Sequence, residues 1–315
     1  MRARRSCLSV PGSSAKFLAK AATLDADEVF FDLEDSVAPL EKEAARGNVV
    51  QALKEHEYKA RTKVLRVNGV YTKWCAKDLL EVVENAGEQL DCIMIPKVET
   101  VADVKFVSNM LRMIEDNMGM EKRIGIEVQI ETALGLLNLP QIAACDDRIE
   151  DLILGPADMS ASLGLPTVTA GEPIPGYETL DHFHYVLTHI NIAARANNLQ
   201  AIGGPYLLIR DLDGFRAAAM RERALGYDGK WALHPDQVAI LNEVFTPTQD
   251  EFDKSEAVLE HYKYVTEVER KGAVMFGKEM IDEASRKMAE QFAARGRAAG
   301  MKVVKTAKDF LGDAK

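Results

Sequence analysis

Long apolar runs, cysteine, aromatic residues and net positive charge are all scarce in this chain of 315 residues, and each scarcity excludes something. No uninterrupted apolar stretch approaches the roughly 20 residues that a bilayer-crossing helix needs, so no membrane span is expected. The four cysteines, Cys7, Cys75, Cys92 and Cys145, form no Cys-x-x-Cys pair and no zinc spacing with a histidine. A disulfide scaffold and a zinc centre are thereby set aside, and small buried thiols in a reducing cytoplasm are expected. The formal net charge of −10 leaves little surface for the clustered positive charge that nucleic acid requires. A few local Arg and Lys side chains would still suffice for a phosphorylated small molecule. The start, Met1-Arg2-Ala3-Arg4-Arg5-Ser6, is basic but is followed by no apolar segment of signal-peptide length, so no secretion signal is read and the cytoplasm is the expected location.

What is present is a globular composition, 47% hydrophobic, in a chain long enough to bury a sizeable core. Short β-like segments recur at Cys7–Val10, Glu28–Asp32, Lys63–Val67, Asp91–Pro96, Arg123–Ile130, Asp151–Leu154, Gln200–Gly203 and Lys230–Leu233. Amphipathic stretches lie between them, among them Ala15–Leu24, Pro39–Leu53, Ala76–Ala86, Val101–Met113, Glu178–Ala196 and Leu212–Leu225. Eight strand–helix alternations in about 250 residues predict an α/β fold, a closed (β/α)8 TIM barrel. The rival, a doubly wound sheet, lacks a Gly-x-Gly-x-x-Gly after its first strand. The barrel is assigned to residues 1–246 and a C-terminal helical extension to 247–315. That extension reads as a charged helical run, Thr248–Glu269, a Gly-bearing break at Lys271–Gly277, and a last helix from Asp282 to about Arg297. It is either packing decoration or a lid or dimer arm. The irregular loop Gly164–Pro175, after the sixth strand, is a candidate functional loop.

In such a barrel the reactive groups gather at the C-terminal ends of the strands. Read to its end, each strand shows what waits there: Asp32-Leu33-Glu34-Asp35, Arg66-Val67-Asn68, Pro96-Lys97, Glu131-Thr132, Gly155-Pro156-Ala157-Asp158 and His234-Pro235. On the fifth strand the two-residue period puts Ile124, Ile126, Val128 and Ile130 toward the helices and leaves Glu127 and Glu131 pointing inward. A buried carboxylate is costly unless paired or bound to a cation. Glu131 at the mouth and Asp158 on the next strand can converge, and two carboxylates plus waters suit Mg²⁺. A structural network with Arg66 or Lys97 is the competing reading, and Glu127, one pleat deeper, reads as supporting structure. Arg66 could neutralise a developing oxyanion. Lys97 could form a Schiff base, although the carboxylates around it argue for a permanently charged ammonium. His234 is as well suited to anchoring a loop as to catalysis, and His182, His184 and His189 read as surface or packing residues.

These residues fall into blocks: Arg5-Ser6-Cys7-Leu8-Ser9-Val10-Pro11-Gly12-Ser13, Phe31-Asp32-Leu33-Glu34-Asp35-Ser36, Leu65-Arg66-Val67-Asn68-Gly69, Ile95-Pro96-Lys97-Val98-Glu99, Ile130-Glu131-Thr132-Ala133-Leu134-Gly135, Trp231-Ala232-Leu233-His234-Pro235 and Met280-Ile281-Asp282. In that order they resemble the malyl-CoA lyase and citrate-lyase-β-like family of CoA-ester lyases, from Arg5 to about Arg297. The Val-Pro-Gly-Ser start and the Ile-Glu-Thr-Ala-Leu-Gly block point, within it, to the L-malyl-CoA/β-methylmalyl-CoA lyases. The resemblance implies that Glu131 and Asp158 hold Mg²⁺, with Mn²⁺ a substitute. Arg66 would steady a thioester enolate, and Glu34 and Asp35 would organise metal-bound water. Asp282 would act as acid/base from a lid, usually a neighbour's, in a trimer or hexamer. Arg5, Lys16 and Phe17 would help to grip coenzyme A, with Lys97, Gly155, Pro156 and Ala157 lining the substrate site. The partners implied are a CoA thioester and a 2-oxo acid. One departure stands out: many relatives carry Asp where this chain has Gly203, so an acceptor beside the site is expected to be missing. A malyl-CoA thioesterase and a citrate-lyase-β-like subunit remain alternatives on the same scaffold.

Overall fold

The computed structural model describes residues 2–169, 174, 176 and 181–311. Eight parallel strands close into a barrel in sequence order: β1 Ser6–Pro11, β2 Glu28–Asp32, β3 Thr62–Arg66, β4 Cys92–Ile95, β5 Gly125–Ile130, β6 Ile149–Leu154, β7 Gln200–Gly203 and β8 Gly229–Ala232. The expected (β/α)8 TIM barrel is therefore present, with strand ends shifted by a residue or two. Strands buried on both faces need no alternation to persist, and β2, β4, β5, β7 and β8 are buried at every residue.

Side chains fill the barrel in layers. The middle one is apolar: Cys7, Phe30, Val64, Cys92, Met94, Ile153, Ile202 and Trp231. Below it, at the N-terminal end, the Arg4 guanidinium is enclosed by carboxylates. Its Nε lies 3.0 Å from Glu28 Oε2 and 2.9 Å from Asp151 Oδ2, and its Nη2 lies 2.9 Å from Glu127 Oε1. Glu127 thus points inward as expected, but into this basal layer. Burial above all, then the charge of Glu127, pushes the Glu28 carboxyl well above its ordinary range.

The chain divides into two compact units, Met1–Val244 and Phe245–Lys315. The second begins with helix Gln249–Tyr264, opened by a capping box between Thr248 and Glu251. The stretch expected to be a mere break instead contributes to a hairpin, β9 Val274–Phe276 against β10 Glu279–Ile281, turning at Gly277 with φ of 60°. Phe276 and Ile281 face inward to pack with Ala257, Val258, Tyr262 and Ala289, which gives three-residue strands enough cover to form. Helix Glu283–Ala298 follows. The extension is therefore helical with an added hairpin. All four cysteines are free thiols. Among the described residues no helix is long and apolar enough to cross a membrane.

Candidate active site at the barrel mouth

The C-terminal strand ends bring Asp32, Glu34, Asp35, Arg66, Lys97, Glu131 and Asp158 together. Arg66 ends β3 opposite Asp32 on β2, its register partner. The two make a bidentate pair, Nε to Oδ1 and Nη2 to Oδ2, both 2.7 Å. The third guanidinium nitrogen, Nη1, lies 3.3 Å from Glu34 Oε2. Beneath the guanidinium lie the rings of Trp231 at 5.2 Å and Phe30 at 5.9 Å. Burial works against its charge, but Asp32 outweighs burial and holds Arg66 above the usual arginine range; the same pairing holds Asp32 below the usual carboxylate range. Arg66 is a fixed cation.

Asp32, named at its strand end, was given no role by the sequence. Besides Arg66, its carboxylate accepts the backbone N–H of Glu34 at 2.8 Å and of Ser36 at 3.1 Å, and so shapes the loop carrying Glu34 and Asp35. The signal was available in the strand register, which sets Asp32 beside Arg66. Two further supports were likewise given no role. Lys42 donates to the carbonyls of Leu33 and Glu34, both at 2.9 Å. Asn68 donates to the Leu33 carbonyl at 2.9 Å and is itself held by Asp78 at 2.7 Å.

Lys97 follows β4 with φ of 52°, a left-handed conformation uncommon for a side-chain-bearing residue. Its N–H donates to Glu131 Oε1 at 2.7 Å, while its ammonium reaches Glu34 at 2.5 Å, Asp35 at 3.2 Å and Asp158 at 3.5 Å. Burial opposes the charge, yet Glu131 and Glu34 outweigh it and hold Lys97 above its ordinary value, so a nucleophilic neutral amine is not what this site presents.

Glu131 lies just past β5, 2% exposed, with Gln129 donating to Oε2 at 2.6 Å. Burial pushes its carboxyl up to about 8; Lys97 opposes that shift and the Asp158 charge adds to it. Gly155 stands beside it with no side chain, and a Cβ there would come within 2.1 Å of Glu131 Oε2. Pro156 then opens helix Pro156–Ser162 and sets Asp158 in its first turn. A carboxylate pair whose joint ionisation is penalised, hard oxygen donors, and a glycine keeping one side clear form a donor set that fits a hydrated divalent cation. Among the described residues no cluster of three or more His, Cys, Asp or Glu side chains is placed to hold a metal. Glu131 and Asp158 are the two carboxylates that could hold such a cation, with water or ligand oxygens completing its shell.

Other expected site residues are placed elsewhere. Arg5 precedes β1 at the opposite end of the barrel and pairs with Asp27, Nε to Oδ2 at 2.8 Å. It therefore does not line the mouth, which corrects its assignment to coenzyme A. Lys16 and Phe17 lie exposed on helix Ala15–Ala21, after the β1 end. Ala157 is exposed beside buried Pro156 and Gly155. His234 Nδ1 accepts the Asp236 N–H at 3.3 Å, an anchor for the turn after β8. Asp282 belongs to the second unit, where Oδ1 caps helix Glu283–Ala298 by accepting from Ala284 N at 3.0 Å and Ser285 N at 3.1 Å. In the candidate loop, residues 170–173 and 175 lie outside the described residues.

With this geometry in view, the chain can be compared with known proteins. The family model described as HpcH/HpaI aldolase/citrate lyase matches residues 5–235. The L-malyl-CoA/β-methylmalyl-CoA lyase of Rhodobacter capsulatus is 37% identical, over 92% of this chain and 93% of that protein. A (3S)-malyl-CoA thioesterase of Cereibacter sphaeroides is 36% identical, over 87% of this chain and 88% of that protein. Among solved structures, Mycobacterium tuberculosis CitE in complex with magnesium, acetoacetate and coenzyme A superposes with a TM-score of 0.72 at 26% identity, covering 93% of this chain and 97% of that one.

Proposed function

Because this chain belongs to the HpcH/HpaI aldolase/citrate lyase family, we propose that it is a Mg²⁺-dependent CoA-ester lyase. It would cleave L-malyl-CoA, β-methylmalyl-CoA or citramalyl-CoA reversibly to glyoxylate or pyruvate plus acetyl-CoA or propionyl-CoA. One observation carries the reading: a fixed guanidinium, Arg66, and two carboxylates, Glu131 and Asp158, share one mouth. When bound there, the metal supplies Lewis acidity toward the hydroxyl and carboxylate oxygens of the acyl chain.

The chain's residues have separable tasks. The substrate hydroxyl proton passes to water as that C–O bond becomes a carbonyl; the adjacent C–C bond breaks, and its electron pair passes to the thioester as an enolate. Arg66, charged throughout and unable to rotate away from Asp32, meets the enolate oxygen. Glu34 and Asp35, held through Asp32, Lys42 and Lys97, orient water at the cation point. Asp282, from a neighbouring copy in a homo-oligomer, returns a proton to the enolate carbon.

The test is product analysis with each of the three thioesters. A 2-oxo acid and a shortened acyl-CoA should form in equal amounts with Mg²⁺, and Glu131→Ala or EDTA should abolish both. Full activity in EDTA overturns the scheme. The 36% likeness to the thioesterase motivates the second reading: free CoA and malate without glyoxylate would establish hydrolysis instead.

A further inference from the structure

Behind the mouth, the end of β7 is fastened by groups outside the reaction scheme. Lys230, on β8 and 3% exposed, sits opposite Gly203 in the strand register. Its ammonium donates to the Gly204 carbonyl at 2.6 Å and to Glu222 Oε1 at 2.5 Å. Glu222 reaches in from helix Leu212–Ala224 and is itself buried. It fills the space that a side chain at 203 would use: a Cβ on Gly203 would stand 1.7 Å from Glu222 Oε2. The chain can therefore place one carboxylate at this point, from the strand or from the helix, but not both. Here the helix supplies it, so the acceptor expected to be missing with Gly203 comes from position 222.

The consequence reaches the mouth through Gly204. A Cβ on that residue would lie 2.2 Å from the Leu154 carbonyl and 2.5 Å from Pro156 Cδ, so the β7 end rests directly on the turn that carries Asp158. We propose that Glu222 is a positioning residue: through Lys230 and the Gly204 carbonyl it seats β7 against the Leu154–Pro156 turn and so fixes Asp158 relative to Glu131. Positions 203 and 222 are then reciprocal, one small when the other is acidic. This inference rests on Asp158 being a cation ligand.

The test is Mg²⁺ titration by calorimetry on the full-length protein, with kcat and KM measured alongside. Glu222→Gln keeps the shape but removes the negative charge that faces Lys230; Gly203→Asp forces two carboxylates into one space. Each should weaken Mg²⁺ binding about 10–100-fold, the range for losing a partner that orients a metal ligand. The double variant Gly203→Asp/Glu222→Ala returns a single carboxylate to the strand and should recover affinity to within a few-fold of the parent. Mg²⁺ affinity and kcat unchanged in Glu222→Gln, with only the melting temperature lowered, would overturn the proposal. So would a double variant binding no better than Gly203→Asp. A parent protein that binds no Mg²⁺ at all instead defeats the metal assignment of the proposed function, which separates the two failures.

Discussion

At the residue scale, the site's charge is decided by which carboxylate meets which cation. Arg66 spends two donors on Asp32 and presents its third nitrogen toward Glu34. A lysine there keeps a charge but has no planar fork, so it can neither make the bidentate pair nor hold one orientation over Trp231. Arg66→Lys should lower kcat about 10²–10³-fold, the usual cost of losing one preorganised donor to a developing oxyanion, with KM changed far less. Steady-state kinetics with malyl-CoA check this, and near-parental kcat would show that Arg66 does not meet the enolate. Residue identities of this kind were legible in the sequence wherever a strand end announced itself, as Arg66, Glu131 and Asp158 did. The roles of Asp32, Lys42 and Glu222 were not, because they arise from partners distant along the chain. Arg5 was misplaced because a motif fixes order along the chain, not the end of the barrel on which a side chain emerges.

At the element scale, β2, β5 and β6 bring four carboxylates to one arginine at the barrel base: Glu28, Glu127, Glu150 and Asp151 around Arg4. One guanidinium does not neutralise four carboxylates, and the raised Glu28 and Asp151 groups hold protons that the unfolded chain would release. Unfolded, Glu28 ionises near 4.5; folded, it does so at considerably higher pH. Between those values the folded state binds more protons, so stability is fully present below about 4.5 and is lost as pH rises toward the folded value. Glu28→Gln keeps an acceptor for Arg4 and removes the titration. Its melting temperature relative to the parent should rise between pH 5 and pH 8, by about 2–4 °C per kcal/mol released. A constant difference across that range would contradict the shared-proton base. Strand positions were readable from apolar runs and spacing. The β9–β10 hairpin was not, since its three-residue strands depend on cover from helix Gln249–Tyr264 rather than on their own pattern.

At the scale of the whole molecule, the proposed completion of the site by a neighbouring copy makes a definite prediction. Asp282→Asn should retain the helix cap, because an amide oxygen can still accept from Ala284 and Ser285, and so should separate the proton-transfer role from the roughly 1 kcal/mol that a cap contributes. Mixed and re-assembled with Glu131→Gln protein, it should regain up to about a quarter of parental activity, since random mixing in a cyclic oligomer pairs an intact metal point with an intact neighbouring Asp282 in about one site of four. No recovery would place Asp282's action within its own chain, or outside catalysis altogether.

Residue 97 carries two independent reagents on one Cα. Its left-handed backbone aims an amide at Glu131, while its side chain delivers an ammonium to Glu34, Asp35 and Asp158. Glycine tolerates that backbone freely and asparagine better than most residues, so either could keep the amide and discard the ammonium. A single codon can therefore alter the electrostatic balance of the mouth while leaving the orientation of Glu131 untouched. Position 97 is where this scaffold can retune the charge of its mouth without rebuilding the barrel.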